Sequence, residues 1–381
     1  MKSEKIRIGI VGLGHRGRHV FRLASEHGFS DMKNDFVEPV AACDIRPENW
    51  NEIRWGLQKP MKEIFPDTVF YNDYDKMLDE AGLDAVIVET GADNHALFCK
   101  KALDKNIHVL SDIPPVASLV EADFLWNAHL KSKAVFATGA NVNEQKFVCT
   151  LRDIVDHGFI GKPFCMDAEY IHSVFPGTDE NKYMWESGAE WRKLLSPIRY
   201  CTHSLGPLLS ILDEDLTKVS CFGTGHHAAA EEYQTGMCKK DDMQCAQFQT
   251  ASGVVIRVMR NGRTRAKIGH HSFRIFGTEG YIEIIGERGS LGTTMRWNST
   301  KFRPAEELIV QPFPNGHGGA DYNLVTNFLQ TLHTGEAKHI TLKDGLRMTL
   351  PGIYAEESAN RGGEVMKISY PWYSDWKVCF D

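Results

Sequence analysis

Lys5-Ile-Arg-Ile-Gly-Ile-Val-Gly-Leu-Gly-His-Arg-Gly17 is the stretch that decides the fold of this chain. Its apolar run, Ile6 to Val11, has the length and β-branching of a buried parallel strand. The run leads straight into Gly12, Gly14 and Gly17, the G-x-G-x-x-G spacing that opens a helix, expected over residues 18–27. Gly12 allows a tight turn and Gly14 lets backbone approach a pyrophosphate, with His15 and Arg16 alongside. Gly17 lets the helix pack close to the strand, and the helix N-terminus turns its partial positive charge to the phosphates. The next apolar run, Val40-Ala-Ala-Cys-Asp44, closes on an acid of the kind that accepts the ribose hydroxyls of NAD. Its distance from the glycines exceeds the usual ~20 residues, and the polar insert at 30–35 absorbs the difference. Arg46, just beyond, is placed to contact a 2′-phosphate, so NADP stays open beside NAD.

Working outward, strands and helices alternate. A helical pattern covers 47–57, with Pro47 suited to a first turn. A strand at 68–71 and a helix at 74–81 come next, then the buried strand 84–90 and the helix 94–104 that carries His95. Strand 107–111, helix 119–130 and strand 133–138 complete the series. Such alternation means right-handed crossovers and a parallel sheet whose ligands gather at the carboxyl ends of its strands. Those ends are Gly12, Asp44, Thr90-Gly91, Ser111-Asp112 and Gly139 to Asn141. The fold class is therefore α/β, with a doubly wound Rossmann sheet over residues 1–140. Residues 141–381 form a second, α+β domain, expected to bind substrate and, by fold-level analogy alone, to serve oligomerisation. There the strands at 164–171, 217–224, 243–250, 254–260, 271–276 and 281–285 are joined by turns such as Gly277-Thr-Glu-Gly280. They imply a large, mostly antiparallel open sheet, with helices 205–212, 322–334 and 343–360 over one face. Residues 228–242 read as a charged excursion.

Bulk composition excludes several classes. A length of 381 residues suits two domains, and 42% hydrophobic content suits ordinary cores. A net charge of −7 gives no reason to expect nucleic acid or an anionic membrane. No apolar run approaches the ~20 residues of a membrane helix. The start runs directly into a strand, leaving no room for a signal peptide. Nine scattered cysteines without a C-x-x-C pair point to reduced thiols and a cytoplasmic location.

Three clusters in the second domain carry candidate chemistry. In Arg199-Tyr-Cys-Thr-His203-Ser-Leu-Gly-Pro207, Tyr200 and His203 stand three apart and would share one helical face. Histidine exchanges protons near neutrality and tyrosine can donate to an oxyanion. In Glu169-Tyr-Ile-His172, Tyr170 and His172 alternate along a strand and point the same way. Trp191 and Arg192 offer a plate and a cation suited to carbohydrate, and Asn315-Gly-His317-Gly-Gly-Ala-Asp321-Tyr322 is a loop entering a helix. From that loop His317, Asp321 or Tyr322 would reach sugar hydroxyls. The pairs His226-His227 and His270-His271 come with no metal motif, and adjacent strand residues face opposite ways, so no metal is expected.

The element order, Thr90 and His95 after the fourth strand, and Asp112-Ile-Pro114 after the fifth resemble the Gfo/Idh/MocA family of NAD(P)-dependent enzymes of sugars and cyclitols. Asp156-His-Gly-Phe-Ile-Gly-Lys-Pro163, Phe276-Gly-Thr-Glu-Gly280 and Tyr354-Ala-Glu-Glu-Ser-Ala359 extend the likeness to nearly the whole chain. The family's Glu-Lys-Pro lysine, its usual proton donor or acceptor, is Ile113 here, and its usual aspartate before the histidine is Arg199. Tyr-x-x-His-x-x-Gly-Pro, Tyr-Ile-His and Gly-His-Gly-Gly-x-Asp, with the lysine-free turn, resemble the NAD-dependent glycosidases of glycoside hydrolase family 109. That resemblance implies a catalytic pair, Tyr200 and His203, with Arg192 a looser match. It also implies transient oxidation at C3, elimination of the aglycone across C1–C2, addition of water and re-reduction. Two other readings stand beside it: an ordinary sugar dehydrogenase or ketoreductase using His203 alone, and a non-catalytic NAD-sensing protein.

Overall fold

The computed structural model describes residues 5–25, 34–54, 57–172, 191, 195–227, 241–262, 270–287, 292–301, 306–313 and 316–380. Two compact units emerge. The first comprises Met1–Gly139, Gly177–Trp191 and Asp321–Leu342; the second comprises Ala140–Pro176, Arg192–Ala320 and Lys343–Asp381.

In the first unit six strands form one sheet: β1 (Ile6–Val11), β2 (Val37–Cys43), β3 (Val69–Tyr71), β4 (Ala85–Val88), β5 (His108–Ser111) and β6 (Phe136–Thr138). Their order is β3-β2-β1-β4-β5-β6, with every pair parallel. The strand order reverses between β1 and β4, which makes that crevice the topological switch point where such sheets take ligands. Val11 is in register with Cys43 and with Val88, so Gly12, Asp44 and Glu89 leave the sheet side by side. Ile8, Ile10 and Ile87 are fully buried, as strands covered on both faces require.

The same core takes Val325, Phe328 and Leu329 from the helix Ala320–Thr334. This corrects the expectation that a helix at 322–334 covers the second sheet. An apolar stripe at helical spacing fixes which face is buried, but not against what. Thr138 N–H then donates to Ile340 O at 2.7 Å, and its hydroxyl to Thr341 O at 2.9 Å, tying the returning chain to β6. The helix expected over 47–57 shrinks to Glu48–Asn51, closed by Glu52 in extended backbone. Two asparagines in that short stretch spend their side chains locally, which competes with helix propagation: Asn51 donates to Pro47 O, and Asn49 to Asp44.

The second unit is built on nine strands in the order β14-β13-β12-β11-β7-β10-β9-β8-β15. They are β7 (Pro163–Ile171), β8 (Leu216–Gly223), β9 (Met243–Thr250), β10 (Val255–Asn261), β11 (His271–Gly277), β12 (Gly280–Glu287), β13 (Thr293–Ser299), β14 (Glu306–Val310) and β15 (Met366–Lys367). Only β7 and β10 pair in parallel. β13 to β15 were not legible beforehand: β13 is rich in Thr, Asn and Ser, and β15 is two residues long. On one face Met166, Ala168 and Tyr170 of β7 are buried. Phe147 of the helix Lys146–Asp156 lies 6.1 Å from Phe273 there. The helix Leu342–Asn360 comes so close to the Ile198–Cys201 turn that a Cβ on Gly352 would stand 2.8 Å from Ile198 O.

The opposite face is half-exposed and carries a row of alternating charge. Arg257 and Arg274 both pair with Asp167, at 2.9 and 3.1 Å, and Arg296 pairs with Glu283 and Glu307, at 3.6 and 2.7 Å. No helix among the described residues is long and apolar enough to cross a membrane. The segment at 228–240 lies outside the described residues.

Candidate active site

The glycine loop of the first unit is shaped by sterics. Gly12 has φ +94°, and a Cβ on it would stand 2.4 Å from Glu89 O; one on Gly17 would stand 1.9 Å from Gly12 O. No side chain fits at either position, so the helix His15–Leu23 seats directly on the end of β1. Gly14 is its N-cap, with no side-chain cap and no acid in the first turn, which leaves the helix start receptive to an anion. Asp44 braces the loop. Its Oδ2 accepts from Leu13 N–H at 2.6 Å and from Asn49 at 3.1 Å, and its Oδ1 accepts from Arg46 N–H at 2.8 Å. The Arg46 side chain is exposed. Behind the loop Arg18 is buried, donating to Asn49 O. Burial and the neighbouring Arg54 pull its guanidinium down to about 10, against the pull of Asp44.

A glycine cradle at a helix start beside an aspartate suits a dinucleotide: Gly12, Gly14 and the amides that follow would hold the pyrophosphate, and Asp44 the ribose.

The remaining expected cofactor residues of this unit divide into two groups. His95 is buried and spans two loops, one ring nitrogen 2.9 Å from Thr90 O and the other 2.9 Å from Pro114 O. It thereby fixes the carboxyl ends of β4 and β5 relative to each other. Arg16 instead joins an acidic cluster that the sequence did not reveal. Its guanidinium lies 3.1 Å from Asp112, 3.0 Å from Asp321 and 3.5 Å from Glu89. Burial alone would lower Arg16, but these three carboxylates hold it well above its ordinary value. Glu89 shifts the other way for an acid: burial first, then the charge of Asp112, push its carboxyl well above the usual range despite Arg16.

Asp321, 1% exposed, also meets His19 at 3.4 Å, and Tyr322 packs on the apolar core. Asp321 and Tyr322, of which a sugar contact was expected, thus have an ion-pair and an apolar contact within the first unit. Trp191 stands against Gly91 in the loop after β4, where a Cβ would be 3.4 Å from its ring. Arg192 lies outside the described residues.

In the second unit the aromatic and histidine residues converge. Tyr200 ends a short 3-10 helix, Pro197–Tyr200, and His203 lies in the first turn of the helix Thr202–Leu209. The Tyr200 hydroxyl is 3.5 Å from His203 Nε2, at the outer limit of a hydrogen bond. Both rings rest on Tyr170 of β7. Tyr170 meets His203 edge to face at 5.0 Å and stacks on His271 at 4.9 Å, with His172 at 5.5 Å. His172 in turn is 4.6 Å from His270.

Register explains the gathering: Tyr170 is opposite His271 on one neighbour and Arg260 on the other. Arg260, 3% exposed, lies 4.3 Å over the Tyr170 ring and 6.0 Å from the Tyr200 ring. Sequence reasoning missed Arg260 and His271, because cross-strand pairing across β7, β10 and β11 is not written in any one of them. His226 and His227 lie beyond the end of β8, and His270 precedes β11, so alternation along a strand does not govern them.

Arg199 turns to the last helix and pairs with Glu356 at 3.1 Å. His317 is exposed and left-handed, with φ 49°. Asn141 opens a short 3-10 helix and is buried.

Comparison with known proteins agrees with this geometry. Residues 6–140 match the Gfo/Idh/MocA model, described as an oxidoreductase family with an NAD-binding Rossmann fold. A glycosyl hydrolase family 109 protein of Shewanella sp. strain ANA-3 is 24% identical over 396 residues, covering 94% of this chain and 83% of its own. An alpha-N-acetylgalactosaminidase of Shewanella oneidensis is 23% identical with the same coverage. Among solved structures, scyllo-inositol dehydrogenase from Lactobacillus casei, with bound NAD(H) and scyllo-inositol, superposes with a TM-score of 0.72 at 18% identity. That match spans 96% of this chain and 99% of the other. Residues 6–140 of this chain therefore match the NAD-binding Rossmann domain of the Gfo/Idh/MocA oxidoreductases, and the chain as a whole has the fold of those enzymes.

Proposed function

We propose that the chain is a redox-neutral, NAD-dependent glycosidase, in which Tyr200 and His203 handle the protons. The carrying observation is their pairing on Tyr170 in a chain whose residue 113 is a buried isoleucine and cannot titrate. Gly12, Gly14 and Asp44 would hold NAD, which would supply hydride exchange at C3 of the sugar with no net redox change. A 3-ketone acidifies the neighbouring C2–H, so a histidine is a strong enough base to remove that proton while the C1 substituent departs. Tyr200 supplies a proton to the leaving oxygen, and the same pair then works in reverse as water adds.

Tyr170 and His172 form the wall on which the sugar rests. The family 109 relatives support the glycosidase reading. We also propose that a second copy of the chain packs on the open sheet face. Its row of alternating charges, Arg257–Asp167–Arg274 and Glu283–Arg296–Glu307, is of the self-complementary kind a two-fold interface needs. The experiment is incubation of the purified protein with a panel of nitrophenyl glycosides, with and without added NAD. Nitrophenol release without net NADH supports the proposal. Steady NADH formation from a free sugar selects an ordinary dehydrogenase.

A further inference from the structure

Arg260 is where the structure goes beyond the expected pair. It sits on β10 and points to the helix-covered face of the sheet, 3% exposed. Its guanidinium donates to the carbonyls of Tyr170 at 3.2 Å, His172 at 3.4 Å and Asn261. It thus holds the end of β7 by its backbone while lying 4.3 Å over the ring of Tyr170. The residue that supports His203 is gripped twice by one cation. The same charge is 6.0 Å from the Tyr200 ring, and that phenol is the hydrogen-bonding partner of His203.

An arginine stays charged throughout the accessible pH range. Its potential in a water-poor site acts against every protonation state of the Tyr200–His203 pair that carries more positive charge. Among the described residues, the other titratable or charged groups near the pair come from several elements. Tyr170 and His172 come from β7, and His270 and His271 from the start of β11. Arg199 and Glu356 pair with each other. Cys201 is a buried thiol held far from ionisation, raised to about 12 by burial. Glu144 is in the 3-10 turn Asn141–Glu144.

We infer that Arg260 is a positioning residue that sets the proton affinity of the Tyr200–His203 pair, holding Tyr170 under His203 and placing a fixed positive charge beside the Tyr200 ring. The inference rests on the reading of Tyr200 and His203 as the proton-handling pair. A unit charge at 6.0 Å under an effective dielectric of about 20 displaces such a pair by about one to two pH units. A fixed positive charge opposes protonation of either member, so both limbs of the profile are expected to move the same way.

The test compares Arg260→Lys, which keeps the charge, with Arg260→Met and Arg260→Gln, which remove it. Gln still has an amide to offer the Tyr170 and His172 carbonyls, so it covers the case in which Met does not fold. Two measurements are made in each background: the pH profile of the turnover found with the glycoside panel, and the tyrosinate absorbance titration before and after adding Tyr200→Phe. The second needs no substrate, so it decides the inference even if the panel returns no glycosidase. The expected result is that Tyr200 ionisation and both kinetic limbs move upward by about one to two pH units in the neutral variants and stay in place in Arg260→Lys. Lower rates with unmoved titrations would reduce Arg260 to a purely structural role and overturn the inference. So would an equal displacement in Arg260→Lys.

Discussion

Gly17→Ala is the sharpest test of the nucleotide loop, because the structure supplies the size of the conflict. The new methyl would stand 1.9 Å from Gly12 O, about 1.5 Å inside the 3.4 Å where ordinary contact begins. The obstructing atom is backbone, and Gly12 cannot retreat, since its own Cβ position lies 2.4 Å from Glu89 O. The helix His15–Leu23 therefore has to lift off β1. Forcing a group into a packed site costs about 1–3 kcal/mol or more. Lifting the helix also withdraws its first amides from the pyrophosphate. Loss of two charge-assisted hydrogen bonds, at about 1.5–3 kcal/mol each, weakens NAD by at least about 100-fold.

The control is Gly158→Ala. Gly158 has φ +72° and nothing within 4 Å of a Cβ, so it carries only the left-handed backbone cost of about 1–2 kcal/mol. Both variants are measured by urea unfolding and by calorimetric titration with NAD. The expected pattern is that both lose stability while only Gly17→Ala loses NAD. Wild-type NAD affinity in Gly17→Ala would refute the placement of the pyrophosphate, and equal losses of NAD in both would show that affinity merely follows stability.

Further outcomes are expected elsewhere in the chain. His203→Ala and Tyr200→Phe should lower turnover by about 10²–10⁴-fold while bound NAD survives gel filtration; loss of the nucleotide would move the pair from chemistry to structure. Burial and the charge of Asp112 raise the Glu89 carboxyl well above its ordinary value despite Arg16. Its favourable contribution is thus present below about pH 4.5 and is lost as pH rises through the folded-state value. Glu89→Gln should therefore gain thermal stability over the parent increasingly from pH 5 to 8, and a constant difference in melting temperature would contradict this. Arg199→Met removes the cation paired with the buried Glu356 carboxylate, leaving it the Ser196 hydroxyl, and should cost about 3–5 kcal/mol in urea unfolding. Adding Glu356→Gln should recover much of that loss, and strictly additive losses would remove the ion pair from the account.

How much of this was legible in the sequence depended on the range of the interaction. The glycines, Asp44 and the strand–helix alternation are local signals, and they specified the first sheet down to its ligand-binding edge. Tyr200 and His203, three apart across the join of two short helices, were local enough to be paired in advance. Arg16 was legible as a loop residue, but its meeting with Asp112 and Asp321 was not, because those residues are separated by 96 and 305 positions. The helix Ala320–Thr334 showed its apolar stripe and hid its destination for the same reason. Arg260 on β10 looked like any half-buried strand arginine until register set it opposite Tyr170.

The exchange of lysine for isoleucine at position 113 gains its meaning from burial. Ile113 is 2% exposed and follows Asp112, whose carboxylate is committed to Arg16. A lysine ammonium would be costly in that setting, so the turn after β5 is built as packing. Among the described residues at the carboxyl ends of this sheet, the ionisable side chains of Asp44, His95, Asp112 and Arg16 are each engaged with partners of their own unit. The first unit is thereby organised to hold a dinucleotide rigidly, with little left over for moving protons. The second unit has the complementary character: Tyr170, Tyr200, His203 and His271 meet through ring contacts and a long Tyr200–His203 hydrogen bond, 3.5 Å, that can tighten or reverse. Division of labour of this kind suits a reaction in which the hydride returns to the carbon it left and only protons and a leaving group are exchanged with the surroundings.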